Sequence, residues 1–310
     1  MPPTAPIYYL RHHEIDKPLW DACINKAANG LIYAQSFYLD IMCGQWDALV
    51  LNNYEAVMPL VWRKKYGIYY LYQPYFTAAL GVFGNNISPQ LITDFLTAIP
   101  SKFVYWDMDL NEANTCVPDT ITHLHITQRT NFILPLQKHY EAVYAGYSRR
   151  AKRMLNRAET SGLTVIKNAP PEIVIDNYIH HYQHRHIIPP DAYQNLITLA
   201  RQASTMGHMK TYIAQTADKE IVAFLLCLAD ERFIYAVLGG GTPEGKQQGA
   251  FTLLIDAVLK EQAGSGKIFR FEGSDHMDIA FFNEQFGAQE IHYPHLKKNN
   301  LPWPLHYLKK

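Results

Sequence analysis

Cysteine is scarce and scattered. Cys23, Cys43, Cys116 and Cys227 form no Cys-x-x-Cys pair, so neither a disulfide framework nor a zinc site is expected, and a reducing compartment fits. Net charge is missing as well: 28 basic and 28 acidic side chains cancel. The chain has no global field for DNA, and any RNA contact has to come from a local patch. Long apolar runs are absent, none approaching the roughly 20 residues of a membrane-spanning helix. The N-terminal Met-Pro-Pro-Thr-Ala-Pro lacks the basic-then-apolar order of a signal peptide, so a cytoplasmic chain is expected. A lipid-linked substrate would then be met by transient contact at the membrane surface. Neither Gly-x-Gly-x-x-Gly nor Gly-Lys-Ser/Thr occurs, which leaves dinucleotide binding and phosphoryl transfer without support. His180 and His184 stand at i, i+4 without the intervening Glu of a His-Glu-x-x-His site, and no metal is expected.

What the chain does have is apolar residue in quantity, 48% of 310 residues, enough for two domains of ordinary size. Hydrophobic periodicity predicts a mixed α/β chain of the α+β type. In the first half, Ile7–Leu10, Trp46–Leu51, Glu55–Trp62, Tyr66–Tyr72 and Phe103–Leu110 read as strands, with Asn52-Asn53 and Lys64-Lys65-Tyr66-Gly67 as turns. Asp16, Ser36 and Ser88 are helix caps, the first and third with Pro in the opening turn. In the second half, helices follow Ser148, Pro170 and Asp191. Antiparallel strands then run over Met209–Gln215, Glu220–Ala229 and Phe233–Leu238, and a last strand over Gln289–Leu296. The boundary is expected near residue 135, giving domains over 1–135 and 136–296. Element order in the first echoes that in the second.

Two stretches carry chemistry. From Arg149 to Ser161, a spacing of roughly 100° per residue gathers Ala151, Met154, Leu155 and Ala158 on one face. Arg149, Arg150, Lys152, Arg153 and Arg157 fall on the other. Like charges give that face no internal pairing, so it is either solvated or built for an anionic partner. In the second stretch, the strand Phe233–Leu238 runs into Gly239-Gly240-Gly241, then Gln247-Gln248-Gly249-Ala250, then an apolar helix from Phe251. Strand, glycine loop and helix N-terminus in succession make either a seat for a phosphate or carboxylate, or a plain glycine-rich connection. Carboxylates able to take a proton are Asp107 and Asp109, two apart on one face of a strand, and Glu272. No Ser-His-Asp or Cys-His arrangement stands out, which fits direct attack rather than a covalent intermediate.

The glycine stretch resembles the Gln/Arg-x-x-Gly-x-Gly/Ala of GNAT-type N-acyltransferases in compressed form. Phe271-Glu-Gly-Ser-Asp275, Ile279-Ala-Phe-Phe282 and Phe286-Gly-Ala288 look like the end of the Fem family, the peptidoglycan-bridge aminoacyltransferases. Tyr147-Ser-Arg-Arg-x-Lys-Arg153 and Gly162-Leu-Thr-Val165 look like the opening of that family's second domain. Glu272 and Phe282-Asn283 depart from the family's usual residues.

The resemblance implies two tandem GNAT-like domains, each a mixed, mostly antiparallel sheet flanked by helices. It also implies that residues 297–310 pack back on the first domain, with Trp303, Leu305 and Leu308 as anchors. The activity implied is N-acyl transfer from an activated donor to an amine, with a cell-wall precursor as acceptor. An acyl-CoA or an aminoacyl-tRNA is a co-substrate here and no cofactor is held tightly. Arg149, Arg150, Arg153 and Arg157 would hold the anionic donor. Gly239 to Gly241, Gln247 to Ala250 and Ser274 would seat its phosphate or carbonyl. The other reading is a binding or scaffold protein that kept the fold.

Overall fold

The computed structural model describes residues 6–115, 121–184, 188–273 and 275–303. The chain divides into two compact units, Met1–Arg129 with His292–Lys310, and Thr130–Ile291.

In the first unit, β1 (Ile7–Leu10) leads to α1 (Lys17–Lys26) and α2 (Ser36–Cys43). Asp16 caps α1 by accepting from the Leu19 N–H at 3.0 Å. Ser36 is not a cap as the sequence predicts. It is the first residue of α2, and its hydroxyl and N–H both serve Asp21. Strands β2 (Trp46–Leu51), β3 (Ala56–Lys65), β4 (Ile68–Tyr72) and β5 (Phe83–Gly84) follow, then α3 (Pro89–Ala98) and β6 (Phe103–Asp109). The sheet order is β1-β2-β3-β4-β6, completed by the C-terminal strand β13 (Gln289–Asn299). Only β4 and β6 run parallel, joined by the crossover through α3, and β13 pairs antiparallel with β6 from His295 to Asn299. The core beneath holds Leu49, Met58, Leu60, Phe95, Trp106 and Leu296.

In the second unit, β7 (Leu124–Pro135) contributes its C-terminal half. The elements then run α4 (Tyr140–Ala145), α5 (Arg149–Thr160), β8 (Thr164–Lys167), α6 (Pro171–Tyr182), α7 (Pro190–Thr205), β9 (Met209–Gln215), β10 (Ile221–Ala229), β11 (Phe233–Gly241), α8 (Pro243–Gln248), α9 (Ala250–Gln262), β12 (Ile268–Arg270) and α10 (Met277–Glu284). Its sheet order is β8-β9-β10-β11-β12-β7, with only β11 and β12 parallel, joined through α9. The two units therefore share one plan: an antiparallel run, one parallel crossover pair, and a closing antiparallel strand. Each is a mixed, mostly antiparallel sheet flanked by helices. The second core gathers Leu225, Cys227, Ile234, Leu254, Val258 and Phe269.

Three further expectations need correction. Gly239 to Gly241 are not a loop; they are the last three residues of β11, paired with Leu225, Phe224 and Ala223. Thr242 to Gln248 are not irregular either, because Thr242 caps the short α8 through the Gly245 N–H at 3.0 Å. Trp303 anchors nothing: it is 81% exposed. Cys116, Ser274, Leu305 and Leu308 lie outside the described residues. No helix among the described residues is long and apolar enough to cross a membrane.

Candidate functional site

The second unit has a sheet that opens. β11 and β12 pair only from Phe233/Ile268 to Tyr235/Arg270. Beyond that point β11 continues to Gly241 with β10 alone, while Glu272 takes φ 55 and Gly273 φ 64 and carry the chain away. Thr242 N–H donates to the Val222 carbonyl at 3.0 Å. Antiparallel ladders alternate, so Gly240 exchanges bonds with Phe224, while Gly239 and Gly241 turn their N–H and C=O toward the side that β12 has left. At Gly241 those groups are taken. Its N–H donates to the Tyr182 hydroxyl at 3.2 Å, and that hydroxyl donates to its carbonyl at 3.0 Å. At Gly239, half-buried, those groups meet no partner among the described residues, and the edge is open there.

The glycines of β11 are needed for close approach. A Cβ on Gly240 would lie 2.6 Å from the Tyr182 ring, and one on Gly239 2.8 Å from the Phe251 ring. The sheet thus accepts an aromatic on each face where a side chain would exclude it. Gly249 makes the same kind of contact at the joint between α8 and α9. Its φ is +79, and it lies against the Met154 carbonyl of α5. Gly249 and Ala250 are buried there, so the first turn of α9 is covered by α5. Gln247 is exposed; the amide oxygen of Gln248 is buried and meets no donor among the described residues.

Helix α5 is laid out as its periodicity predicts. Ser148 caps it through the Ala151 N–H at 3.1 Å, and Ala151, Leu155 and Ala158 are buried. Arg149, Arg150, Arg153 and Arg157 are exposed, and none has a carboxylate within salt-bridge distance among the described residues. Arg150 lies over the Phe281 ring at 5.2 Å. The helix and the small-residue bend therefore meet, but through the Met154 backbone, with the cations on the face turned to solvent.

Glu272 closes β12. Its carboxylate accepts from Arg270 Nε at 3.1 Å and from Asn131 Nδ2 at 2.7 Å, and its N–H donates to Asn131 Oδ1 at 2.9 Å. Arg270 is fully buried, so the pair needs all of these contacts to offset desolvation. These contacts tie Glu272 to the strand end. Asp107 and Asp109 lie in the first unit and do share a face: both meet His295, Asp109 through Nδ1 at 2.8 Å and Asp107 at 3.6 Å from Nε2. Asp109 is buried and also pairs with Arg129 at 3.0 Å, whereas the Asp107 side chain is 42% exposed and accepts from the Tyr105 hydroxyl at 2.9 Å.

Tyr182, Arg270, Asn131 and His295 escape a reading from sequence. Each gains its place through a partner more than 50 residues away or through strand register, with no local signal. The sequence draws the eye to His180 on α6 and to His184 just beyond it, but it is Tyr182 and His181 that face the sheet. His181 stacks on Phe224 with ring centroids 6.1 Å apart, and burial pulls its imidazole below the ordinary range.

Residues 145–272 match the model of the acetyltransferase (GNAT) domain. No curated protein matches the chain. Among solved structures, FemX aligns over 97% of this chain and 99% of its own, at TM-score 0.71 and 10% identity. A conserved protein of unknown function from Bacteroides thetaiotaomicron aligns over 95% and 99%, at TM-score 0.61 and 9% identity. L-PGS from Bacillus licheniformis aligns over 95% of each chain, at TM-score 0.57 and 13% identity. At such identities the likeness is one of fold. The chain has a Fem-like GNAT fold, and the matched domain supports an acyltransferase in general terms.

Proposed function

We propose that this chain is an N-acyltransferase that moves an acyl or aminoacyl group from an activated donor to an amine. The observation that carries this reading is the open edge of β11 at Gly239. A donor carbonyl laid against that edge accepts from the Gly239 N–H, and the charge that builds on its oxygen as the amine adds is stabilised by a dipole already in place. The amine nitrogen forms the new C–N bond, the C–O or C–S bond of the ester or thioester breaks, and the proton lost by the amine ends on the departing oxygen or sulfur, so the spent donor leaves as an alcohol or thiol. Arg149, Arg150, Arg153 and Arg157 attract the phosphates of the donor, whether coenzyme A or the end of a charged tRNA. The Fem resemblance suggests a cell-wall precursor as the amine acceptor.

One observation favours a second reading. The first turn of α9 is covered by α5, which leaves less room for a phosphate there and suits a binding protein that kept the fold. Turnover decides. The chain is assayed with acetyl-CoA and with charged tRNA against a muropeptide amine, alongside Arg153→Glu/Arg157→Glu. We expect product with one donor, and a loss of about tenfold or more in donor affinity on charge reversal with little change in melting temperature. Binding of a donor without product from any acceptor supports the second reading. Undiminished donor affinity in the reversed variant removes α5 from the site.

A further inference from the structure

The tip of the β3–β4 hairpin is built against the preferences of its own turn. The ladder closes at Lys65 opposite Ile68, leaving Tyr66 and Gly67 as a two-residue connection. Their φ values are 52° and 81°, both left-handed, as a type I′ turn requires. Asn-Gly or Asp-Gly suits that turn, and a bulky aromatic in left-handed backbone is strained. Packing gives little in return: Tyr66 is 91% exposed, and the Lys65 ammonium lies 5.5 Å from its ring. An outlier that the fold does not repay points to a contact outside the fold.

The flanks say what kind of contact. Arg63, Lys64 and Lys65 are exposed, and none reaches a carboxylate within salt-bridge distance among the described residues. No acidic residue occurs in the sequence between Glu55 and Asp94, so this stretch is of one sign in a chain whose charges sum to zero. Arg63 sits over the Tyr72 ring at 4.3 Å and Lys64 over the Tyr69 ring at 4.8 Å. Those two rings each carry a cation, and Tyr66 is the exposed aromatic of the turn itself.

We propose that this hairpin tip docks on an anionic lipid surface, with the Tyr66 ring among the headgroups and Arg63, Lys64 and Lys65 on their phosphates. A tyrosine with an apolar ring and a polar end suits that interface, and lysine and arginine stems reach past it to phosphate. Single-stranded RNA fits less well, because such binders line a groove with several open ring faces, and here the flanking rings are occupied. The surface is independent of the acyltransferase reading and stands or falls separately from it.

Flotation of the full chain with vesicles tests it. Phosphatidylcholine vesicles, equimolar phosphatidylcholine–phosphatidylglycerol vesicles and poly(U) RNA are compared at low and high salt. The expected result is retention on the anionic vesicles only, weakened by salt as screening sets in. Each lost charge lowers partitioning about fivefold, so Arg63→Gln/Lys64→Gln/Lys65→Gln loses about a hundredfold. Tyr66→Asn guards against a folding artefact: Asn suits the turn, so its melting temperature stays level or rises while vesicle binding falls severalfold. Equal retention on neutral and anionic vesicles, no retention on either, preference for poly(U), or wild-type binding by either variant would each overturn the proposal.

Discussion

Gly249 lies against the carbonyl of Met154 so closely that a Cβ at position 249 would fall 2.3 Å from the oxygen. This contact joins the α8–α9 bend to the basic helix α5. It also fixes how the bend is used, since a backbone that must admit another backbone has no room left for a side chain.

Gly249→Ala should therefore destabilise strongly, by about 3 kcal/mol or more, combining left-handed strain with an overlap that a backbone cannot relieve. Gly207→Ala, just past the end of α7, is the control: φ is +74, and a Cβ added there would meet nothing within 4 Å. It should lose only the strain, about 1–2 kcal/mol. Urea denaturation of both variants gives the difference, and equal losses would mean that α5 yields at Met154.

Tyr182→Phe removes the hydroxyl that serves both the N–H and the C=O of Gly241. The ring still covers Gly240, so the loss should be about 1–2 kcal/mol, read as a lower urea midpoint at constant m value. The freed Gly241 N–H should exchange with deuterium faster than in the parent protein. An unchanged exchange rate would show that another group covers it.

Glu261 supplies a pH dependence. Burial raises its pKa, but the ammonium groups of Lys167 and Lys210, both at 2.8 Å, outweigh this and hold it down at about 2. A carboxyl depressed in the folded state stabilises above its unfolded pKa near 4.5, and the stabilisation is lost as pH falls toward 2. Glu261→Gln should cost about 1–2 kcal/mol at neutral pH, reduced from the full shift because Lys167 is half-exposed. The gap between variant and parent should close as the pH is lowered through that window. A gap that persists at the lowest pH would assign the loss to packing.

The legible parts of the fold are those written in short periods. The cap at Asp16, the cap at Ser148 and the apolar face of α5 all stand where the sequence puts them, because each depends on residues within about one turn. Strand β9 matches to the residue, since Met209 to Gln215 is bounded by turns on both sides. Gly239 to Gly241 mislead because three glycines signal a loop locally. What keeps them extended is distant: the β10 ladder on one edge, with Tyr182 and Phe251 on the two faces. The pairing of Asp109 with His295 is equally invisible, resting on a strand 186 residues further along the chain. Of the candidate site, the sequence conveys the cationic face and the presence of a close-approach backbone. It does not convey which glycine faces the opening, because that follows from hydrogen-bond alternation.

The most direct test lies at Gly239. The chain contains 17 glycines, few enough for a protein labelled only with ¹⁵N-glycine to give separable amide signals. Titration with a non-reactive donor analogue, a ketone in place of the ester or thioester, should move the Gly239 amide downfield as its N–H takes up the carbonyl. Gly67 and Gly207, which have nothing within 4 Å of a Cβ position, should stay still. An analogue that binds while the Gly239 signal does not move would contradict an acyl seat on the open edge of β11.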